Sequence, residues 1–369
     1  MDEIEHVIII GAGFNALMCA LEAQQQRPLN RQVDIIAEVI PSDPSPARWT
    51  TNLSRSCYGS YMTSLPAFEE VTFAHFRKLS ESNSQFYPQF MHTEYFANEI
   101  IEDRIAERPQ ARRLSLDEMI NGFQQGICFR NISVSPSFTA ESMMKEFLLN
   151  GGRLFRGSVR HIREVVAEGV KPFTRADSFE ENMGSPHAIV VCVGLGARFI
   201  GGIEDKSVSC IRIPLVKLRA PWVTAGKAFY DKDFQAILSL VPTGNGDPVR
   251  LKSMNGKSVP SPRSQDTDNL LQQVTKWCPE VLQSTSTTSN IHSLVVYQGC
   301  DIFAARESGP RLEVEWAPAA PYPRRVPIIY NYGYGPGELQ ATKGIAEAVV
   351  NILQAALQQE ASRREEAAL

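Results

Sequence analysis

The residues best spaced for chemistry lie near the start of the chain, in the segment Gly11-Ala12-Gly13-Phe14-Asn15-Ala16. This is a G-x-G-x-x-A pattern: the first glycine makes a tight turn, the second lets backbone approach a pyrophosphate, and the small third residue allows helix–strand packing. Glu38 follows Ala16 by 22 residues, where an acid can accept hydrogen bonds from ribose hydroxyls and disfavours the 2′-phosphate of NADP. The pattern predicts a dinucleotide site, against the alternatives of a ligand-free glycine turn and a merely solvated Glu38.

Apolar periodicity predicts the elements that position this motif. A strand over residues 6–10, a helix over 14–26 and a strand over 33–37 make a βαβ unit around the glycine turn. Helices over 65–79 and 135–150 and strands over 152–160, 188–193 and 326–330 follow, and a helix over 338–358 comes last. Gly194-Leu195-Gly196 and the turn Gly333–Gly337 each follow a strand, so backbone can approach a ligand there as well. We therefore expect an α/β fold with a Rossmann-type domain.

A second set of strands predicts an inserted domain. Residues 210–218, 235–241 and 293–297 have the composition of strands in a mixed, largely antiparallel sheet, with a loop-like stretch at 255–267. The expected division is a discontinuous dinucleotide-binding domain over 1–55, 130–205 and 305–369, and a substrate domain over 56–129 and 206–304.

Composition excludes several classes of function. The net charge of the 369 residues is −4 and no basic block stands out, so nucleic acid is not an expected partner. The seven cysteines include no C-x-x-C pair, which argues against a metal site and a disulfide framework. No signal-peptide pattern or bilayer-length apolar run occurs, and the last residues are not a Ser-Lys-Leu address. We expect a cytoplasmic protein with no membrane partner; the oligomeric state stays open.

Several segments together resemble the D-amino-acid oxidase family, especially its fungal members. Besides the glycine motif, these are residues 191–198 (VCVGLGAR), 201–206 (GGIEDK), 220–222 (APW), 305–313 (ARESGPRLE) and 331–335 (NYGYG). The resemblance implies FAD, with the turn before the last helix near the flavin N1–C2=O edge, where a positive helix end favours negative charge on the ring. Pro336 and Glu338 depart from the family, which usually has glycine at both places, and the family's early loop survives only as residues 46–52.

By this resemblance, one set of residues is expected to contact FAD. They are Gly11, Gly13, Phe14, Asn15, Ala16, Glu38, Asn52, Val159, Gly194, Gly196, Arg306, Gly335, Gly337, Glu338 and Leu339.

The residues at the family's substrate-binding positions differ from those usual in the family. The first arginine of the family's R-P-x-R segment grips the substrate carboxylate, and alignment places Phe303 at that position. Arg306 matches the second arginine, for which a structural ion pair is favoured over substrate contact. Gln235 and Ser239 stand where the family has two tyrosines. Nothing then holds the carboxylate of a free amino acid, so amino-acid oxidase activity is disfavoured.

The leading hypothesis is a FAD-dependent oxidoreductase that removes hydride from a neutral or bulky small molecule, such as an amine or alkaloid-like compound of secondary metabolism. The candidate substrate-site residues are Gln235, Ser239, Phe303 and Tyr334, and dioxygen is a candidate electron acceptor. The ordinary interpretation of Gln235 and Ser239 is that of hydrogen-bonded sheet residues, and for Tyr334 both interpretations stay open. The rival hypotheses are a FAD-binding cyclase or isomerase without net redox change, and a pseudoenzyme that retains the fold for binding.

Overall fold

The apolar run ahead of the first glycine motif forms the central strand of a parallel sheet, as seen in a computed structural model. The model describes residues 4–26, 31–43, 65–99, 110–174, 184–233, 235–242, 249–252, 264–282, 290–319 and 324–368. The described strands, in chain order, are β1 (Glu5–Ile10), β2 (Arg31–Ala37), β3 (Gln89–Phe96), β4 (Arg112–Arg113), β5 (Gln125–Ile132), β6 (Arg153–Arg156), β7 (Ala188–Val191), β8 (Val208–Leu218), β9 (Gly226–Tyr230), β10 (Ala236–Val241), β11 (Val249–Lys252), β12 (Val295–Arg306), β13 (Arg311–Pro318) and β14 (Arg325–Tyr332). The described α-helices are α1 (Phe14–Gln25), α2 (Pro66–Ser82), α3 (Pro136–Leu149), α4 (Ile162–Glu168), α5 (Ser264–Trp277) and α6 (Glu338–Ala368).

The first of two units contains Met1–Asn52, Ser137–Cys210 and Phe303–Leu369. Its six-stranded sheet has the order β13-β14-β7-β1-β2-β6, in which only the β13–β14 pair is antiparallel within the described strands. The parallel strands are buried runs rather than alternating ones, as expected where both faces are covered. Helices α1 and α6 pack against each other in this unit. The mixed α/β architecture and the βαβ start are confirmed.

Two predicted elements of this unit have other bounds in the structure. The strand expected over residues 152–160 ends at Arg156, because the backbone turns there and enters α4, which the sequence patterns did not indicate. The last helix continues to Ala368, beyond the expected end at residue 358. The strand β13 was not predicted, because its residues alternate between half-buried and exposed positions with charged side chains.

The second unit contains Leu53–Pro136 and Ile211–Ile302. Its eight-stranded sheet has the order β12-β8-β11-β10-β9-β3-β5-β4. The β3–β9 pair is parallel, and the pairs β8–β11, β11–β10, β10–β9, β3–β5 and β5–β4 are antiparallel. Helix α5 packs its apolar side on this sheet, where Leu270 and Val274 join Leu238 and Leu240 in one core. The loop expected over 255–267 is therefore wrong for its last residues, which begin α5; residues 253–263 lie outside the described part.

In the described part of the chain, no helix combines the length and the apolar character needed to cross a bilayer.

Candidate functional site

Three glycine turns follow three neighbouring strands of the first unit. Gly11 comes after β1, Gly194 after β7 and Gly333 after β14, and their φ angles are 111°, 50° and 90°. Because these strands are parallel, their carboxyl ends share one edge of the sheet, which is where open α/β sheets bind ligands. The edge is therefore the candidate cofactor site.

The turn after β1 is shaped by contacts that leave no room for a side chain at its first glycine. A Cβ on Gly11 would lie 2.3 Å from the carbonyl oxygen of Cys192, and the Gly11 N–H donates to the carbonyl of Ile36 at 2.8 Å. Gly13 is different: its φ is −68°, and a Cβ there would meet no atom of the described residues within 4 Å, its two chain neighbours aside. The first glycine is thus required by the protein itself, while the second leaves space that a ligand can use.

Helix α1 starts at this space without a side-chain cap. Gly13 is its N-cap, no side chain hydrogen-bonds the first turn, and that turn contains no acidic residue. A helix start of this kind presents backbone N–H groups and positive potential to an anion. Phe14 and Ala16 are buried in α1, so their amides rather than their side chains are available for such a role.

The remaining predicted cofactor residues on this side are distributed around the same strands. Glu38 follows β2 directly and is exposed, as a ribose-binding acid needs to be. Val159 is buried in the core below α4, so only its backbone is free for a cofactor contact. Gly196 lies in the helical turn Gly194–Arg198 after β7. Asn52 falls outside the described residues.

The last turn leads directly into α6. Gly335, with φ 66°, opens a single 3₁₀ turn that ends at Gly337, and Glu338 is the first residue of the 31-residue helix. Leu339 is buried, so its amide is the part that can face a cofactor. Burial raises the pKa of the Glu338 carboxyl to about 7. The helix start therefore carries an acid whose charge changes near neutral pH.

Behind these turns lies a buried polar cluster that sequence patterns did not indicate. The Asn331 amide nitrogen donates to the sulfur atoms of Cys19 at 3.2 Å and Cys192 at 3.3 Å. Its amide oxygen accepts from the Asn15 side chain at 3.3 Å and from the Tyr334 hydroxyl at 2.7 Å. These residues come from α1, the end of β7, β14 and the last turn, so no local spacing links them. Burial also raises the pKa of Tyr334, which stays a phenol.

This cluster bears on two of the predicted site residues. The Asn15 side chain points to Asn331, so a cofactor contact by Asn15 would use its backbone. The Tyr334 proton is donated to Asn331, so the expected hydrogen bond from Tyr334 to substrate is limited to its oxygen as an acceptor.

Arg306 occupies an ion pair within the first unit. Its Nε donates to Asp205 at 2.8 Å, its Nη1 donates to the carbonyl of Gly309, and the Tyr332 hydroxyl also donates to Asp205. Burial alone would raise the pKa of Asp205, but these hydrogen bonds outweigh it and the pKa is lowered. This is the arrangement of a structural ion pair; the expectation that Arg306 contacts FAD stays a prediction.

Two of the candidate substrate residues lie in the second unit, at the start and middle of β10. Gln235 precedes the strand rather than belonging to it, because its N–H donates to Asp231 and its amide to the carbonyl of Asp233 in a tight turn. Ser239 is half-buried, opposite Ala228 on β9 and Lys252 on β11.

Lys252 forms an ion pair with Asp301, whose carboxyl group is fully buried. Sequence analysis missed this pair because its two residues are distant in the chain and belong to different strands. Phe303, the fourth candidate, is a buried residue of β12 in the first unit.

Within the described residues, no group of three or more histidine, cysteine, aspartate or glutamate side chains is arranged to hold a metal ion.

Comparison with known proteins gives matches to one family, two of which span nearly the whole chain. A family model described as DAO, FAD dependent oxidoreductase, matches residues 6–352. A D-aspartate oxidase of Cryptococcus neoformans var. grubii is 24% identical, over 95% of this chain and 97% of that protein. A D-amino-acid oxidase of Schizosaccharomyces pombe is 26% identical over 55% of this chain and 53% of its own.

Solved structures show the same fold at lower identity. The glycine oxidase of Geobacillus kaustophilus has a TM-score of 0.64 and 15% identity, with 95% of each chain covered. The L-proline dehydrogenase of P. horikoshii has a TM-score of 0.66 and 12% identity, with 96% of this chain and 94% of that chain covered.

Proposed function

Because this chain belongs to the DAO family of FAD dependent oxidoreductases, we propose that it is a FAD-dependent oxidase or dehydrogenase acting on a small molecule other than a free amino acid. Bound FAD supplies the electron-accepting ring, and the protein supplies binding, orientation and a suitable electrostatic environment. An amine or an alkaloid-like compound fits this description. Dioxygen is the proposed electron acceptor.

The residues at the carboxyl edge of the first sheet fit FAD. The uncapped start of α1 and the open space over Gly13 suit the pyrophosphate, and the exposed carboxylate of Glu38 suits a ribose. The start of α6 offers amides at Gly337, Glu338 and Leu339 to a second part of the cofactor.

The substrate proposal depends on one observation, which concerns the two positions at which the family has arginine in its R-P-x-R segment. Phe303, aligned with the family's carboxylate-binding arginine, has no charge and is 8% exposed. The guanidinium of Arg306 is held by Asp205 and the carbonyl of Gly309. A carboxylate buried without a partner is strongly unfavourable, so a substrate lacking that group is favoured.

The second unit supports recognition of a neutral polar group. Lys252, opposite Ser239, is compensated by the buried Asp301, so the pair carries no net charge. Because the charges of Lys252 and Asp301 cancel, the pair acts as a dipole near Ser239. It attracts a free carboxylate only weakly. The proposal therefore assigns Ser239 to a polar group of the substrate.

The test is a substrate screen on the purified, FAD-loaded protein. Peroxide release and reduction of an artificial acceptor are measured with D-alanine, D-proline and D-aspartate, and with a panel of neutral secondary and tertiary amines. We expect no turnover of the three amino acids even at high concentration, and turnover of at least one amine class. Robust oxidation of any of the amino acids would contradict the assignment of Phe303.

A matched pair of variants sharpens the test. Phe303→Arg restores the charge alone, and the triple variant Phe303→Arg, Ser239→Tyr, Gln235→Tyr restores the family's side chains. We expect the single variant to gain little oxidation of D-alanine and the triple variant to gain more, because one guanidinium cannot orient the substrate alone. Phe303→Leu serves as the control that preserves the apolar site.

The same protein distinguishes redox from non-redox chemistry. Loss of the flavin absorbance when substrate is added without oxygen indicates electron transfer to FAD. Product formation without bleaching would instead indicate a cyclase or isomerase, and a protein that takes up no FAD would contradict the proposed function altogether.

A further inference from the structure

Glu338 is a residue of the cofactor edge whose side chain, unlike its backbone amide, has no role in the proposed function. It stands where the family usually has glycine, as the first residue of α6. It follows the turn Gly335–Gly337 immediately, at the edge of the sheet formed by the ends of β1, β7 and β14. The residue therefore lies at the edge assigned to FAD.

Its carboxyl group has no hydrogen-bond donor or cation among the residues that the structure describes. Lys343, one turn further along α6, is bound to Glu22 of α1 and to Glu347. The titratable groups that face Glu338 are Cys19 of α1 and Tyr334 of the last turn. Desolvation, followed by neighbouring charges that include Glu338, raises the pKa values of both.

Two effects act on the Glu338 carboxyl in opposite directions. The start of a long helix favours the charged carboxylate, whereas burial favours the neutral acid. Burial dominates, since the pKa is raised to about 7. Cys19 and Tyr334 stay neutral around that pH, and the Glu22–Lys343–Glu347 set is an ion-pair network, so Glu338 is the group of this cluster whose charge changes near neutrality.

We propose that Glu338 is a positioning residue that links the reduction of bound FAD to pH: as a neutral acid it donates a hydrogen bond toward the cofactor, and as a carboxylate it opposes electron uptake. The inference rests on the FAD binding of the proposed function. A substrate supplies two electrons and the ring hydrogen together as hydride, whereas in the test dithionite supplies two electrons and solvent supplies the proton that the ring takes up. The proton on Glu338 comes from solvent in both cases, and no covalent bond to the protein forms or breaks.

The experiment measures the midpoint potential of the bound flavin, which falls with pH in any flavoprotein because reduction takes up protons. The readout is the difference in potential between wild type and variant, which a purely structural role of Glu338 would not make pH-dependent. FAD-loaded wild type, Glu338→Gln and Glu338→Gly are titrated with dithionite against indicator dyes at about pH 6 and about pH 8.5, on either side of the acid's titration. Glutamine keeps a donor without titrating, and glycine restores the residue usual in the family. Glu347→Gln, on an exposed part of the same helix, is the matched control for loss of one negative charge.

We expect wild type and Glu338→Gln to agree at the lower pH and to diverge at the higher one. The reduction equilibrium constant of wild type falls about tenfold relative to that of Glu338→Gln, which is about 30 mV for a two-electron couple. Glu338→Gly shows the same shallow pH dependence as Glu338→Gln, and Glu347→Gln follows wild type.

Parallel pH dependences in wild type and Glu338→Gln would overturn the inference while leaving the proposed function intact. If Glu338→Gln does not fold or retain FAD, the comparison of wild type with Glu338→Gly decides. Failure of the wild-type protein to bind FAD would contradict the proposed function itself and is therefore a distinguishable outcome.

Discussion

Replacing Gly13 by alanine tests the cofactor site with little disturbance of the protein. Gly13 has φ −68° and ψ 173°, a conformation open to any L-residue, and its new methyl group would have no atom of the described residues beyond its chain neighbours within 4 Å. Alanine loses less entropy on folding than glycine, by about 0.4–1 kcal/mol, but is a poorer N-cap by a similar amount. We expect the free energy of unfolding of the cofactor-free variant to stay within about 0.5 kcal/mol of wild type.

A ligand bound at the start of α1 would meet that methyl group. If it displaces one charge-assisted hydrogen bond between pyrophosphate and backbone, binding loses about 1.5–3 kcal/mol. The dissociation constant for FAD then rises about 10- to 150-fold. The assays are urea unfolding of the cofactor-free protein and titration with FAD followed by flavin fluorescence.

Gly11→Ala is the contrasting variant, because its new methyl group meets protein rather than ligand. The Cβ would lie 2.3 Å from the carbonyl oxygen of Cys192, and φ 111° adds strain of about 1–2 kcal/mol for an L-residue. We expect this variant to lower the free energy of unfolding by at least about 2 kcal/mol even without FAD. FAD binding to Gly13→Ala within twofold of wild type would refute our placement of the pyrophosphate.

Three further predictions concern interactions around the first sheet. Asp34→Asn, which breaks the buried ion pair with Arg153, should lower the free energy of unfolding by about 3 kcal/mol at neutral pH in urea unfolding experiments. Arg306→Leu, which removes the ion pair with Asp205, should lower the thermal midpoint by roughly 3 °C while the KM for substrate stays unchanged. Tyr334→Phe, which removes one buried hydrogen bond, should cost about 1 kcal/mol of stability in urea unfolding.

Each of these has a result that would contradict it. Burial would raise the pKa of Asp34, but hydrogen bonds from His6 and Arg153 lower it below its ordinary value, so its contribution is complete above the pKa in the unfolded chain. The difference in the free energy of unfolding between wild type and Asp34→Asn must therefore shrink as pH falls below about 4, and a constant difference would contradict the assignment.

A large rise in KM for Arg306→Leu would point to substrate contact. An unchanged stability of Tyr334→Phe would show that its hydroxyl is not bonded in solution.

The first elements of the cofactor-binding unit could be predicted from sequence because the patterns that indicate them lie within a short stretch of chain. The run at residues 6–10, the glycines that follow and the helical spacing up to residue 25 lie within one stretch of chain, and each is required by backbone geometry. Strands such as β3, β5 and β9 gave no comparable pattern, because their buried residues alternate irregularly and include polar groups such as Glu94. Their placement depends on pairing partners far away in the chain.

The amino-acid sequence by itself determined the glycine turns, the βαβ start and, through resemblance, the family, because these depend on residue type and short spacing. Only the tertiary structure decided which polar side chains already have hydrogen-bond or ion-pair partners within the protein. Tyr334 donates to Asn331, Arg306 is paired with Asp205, and Glu338 stays without a partner among the described residues. The physical reason is that hydrogen bonds and desolvation depend on distances between residues remote in the chain, which spacing along a sequence does not specify.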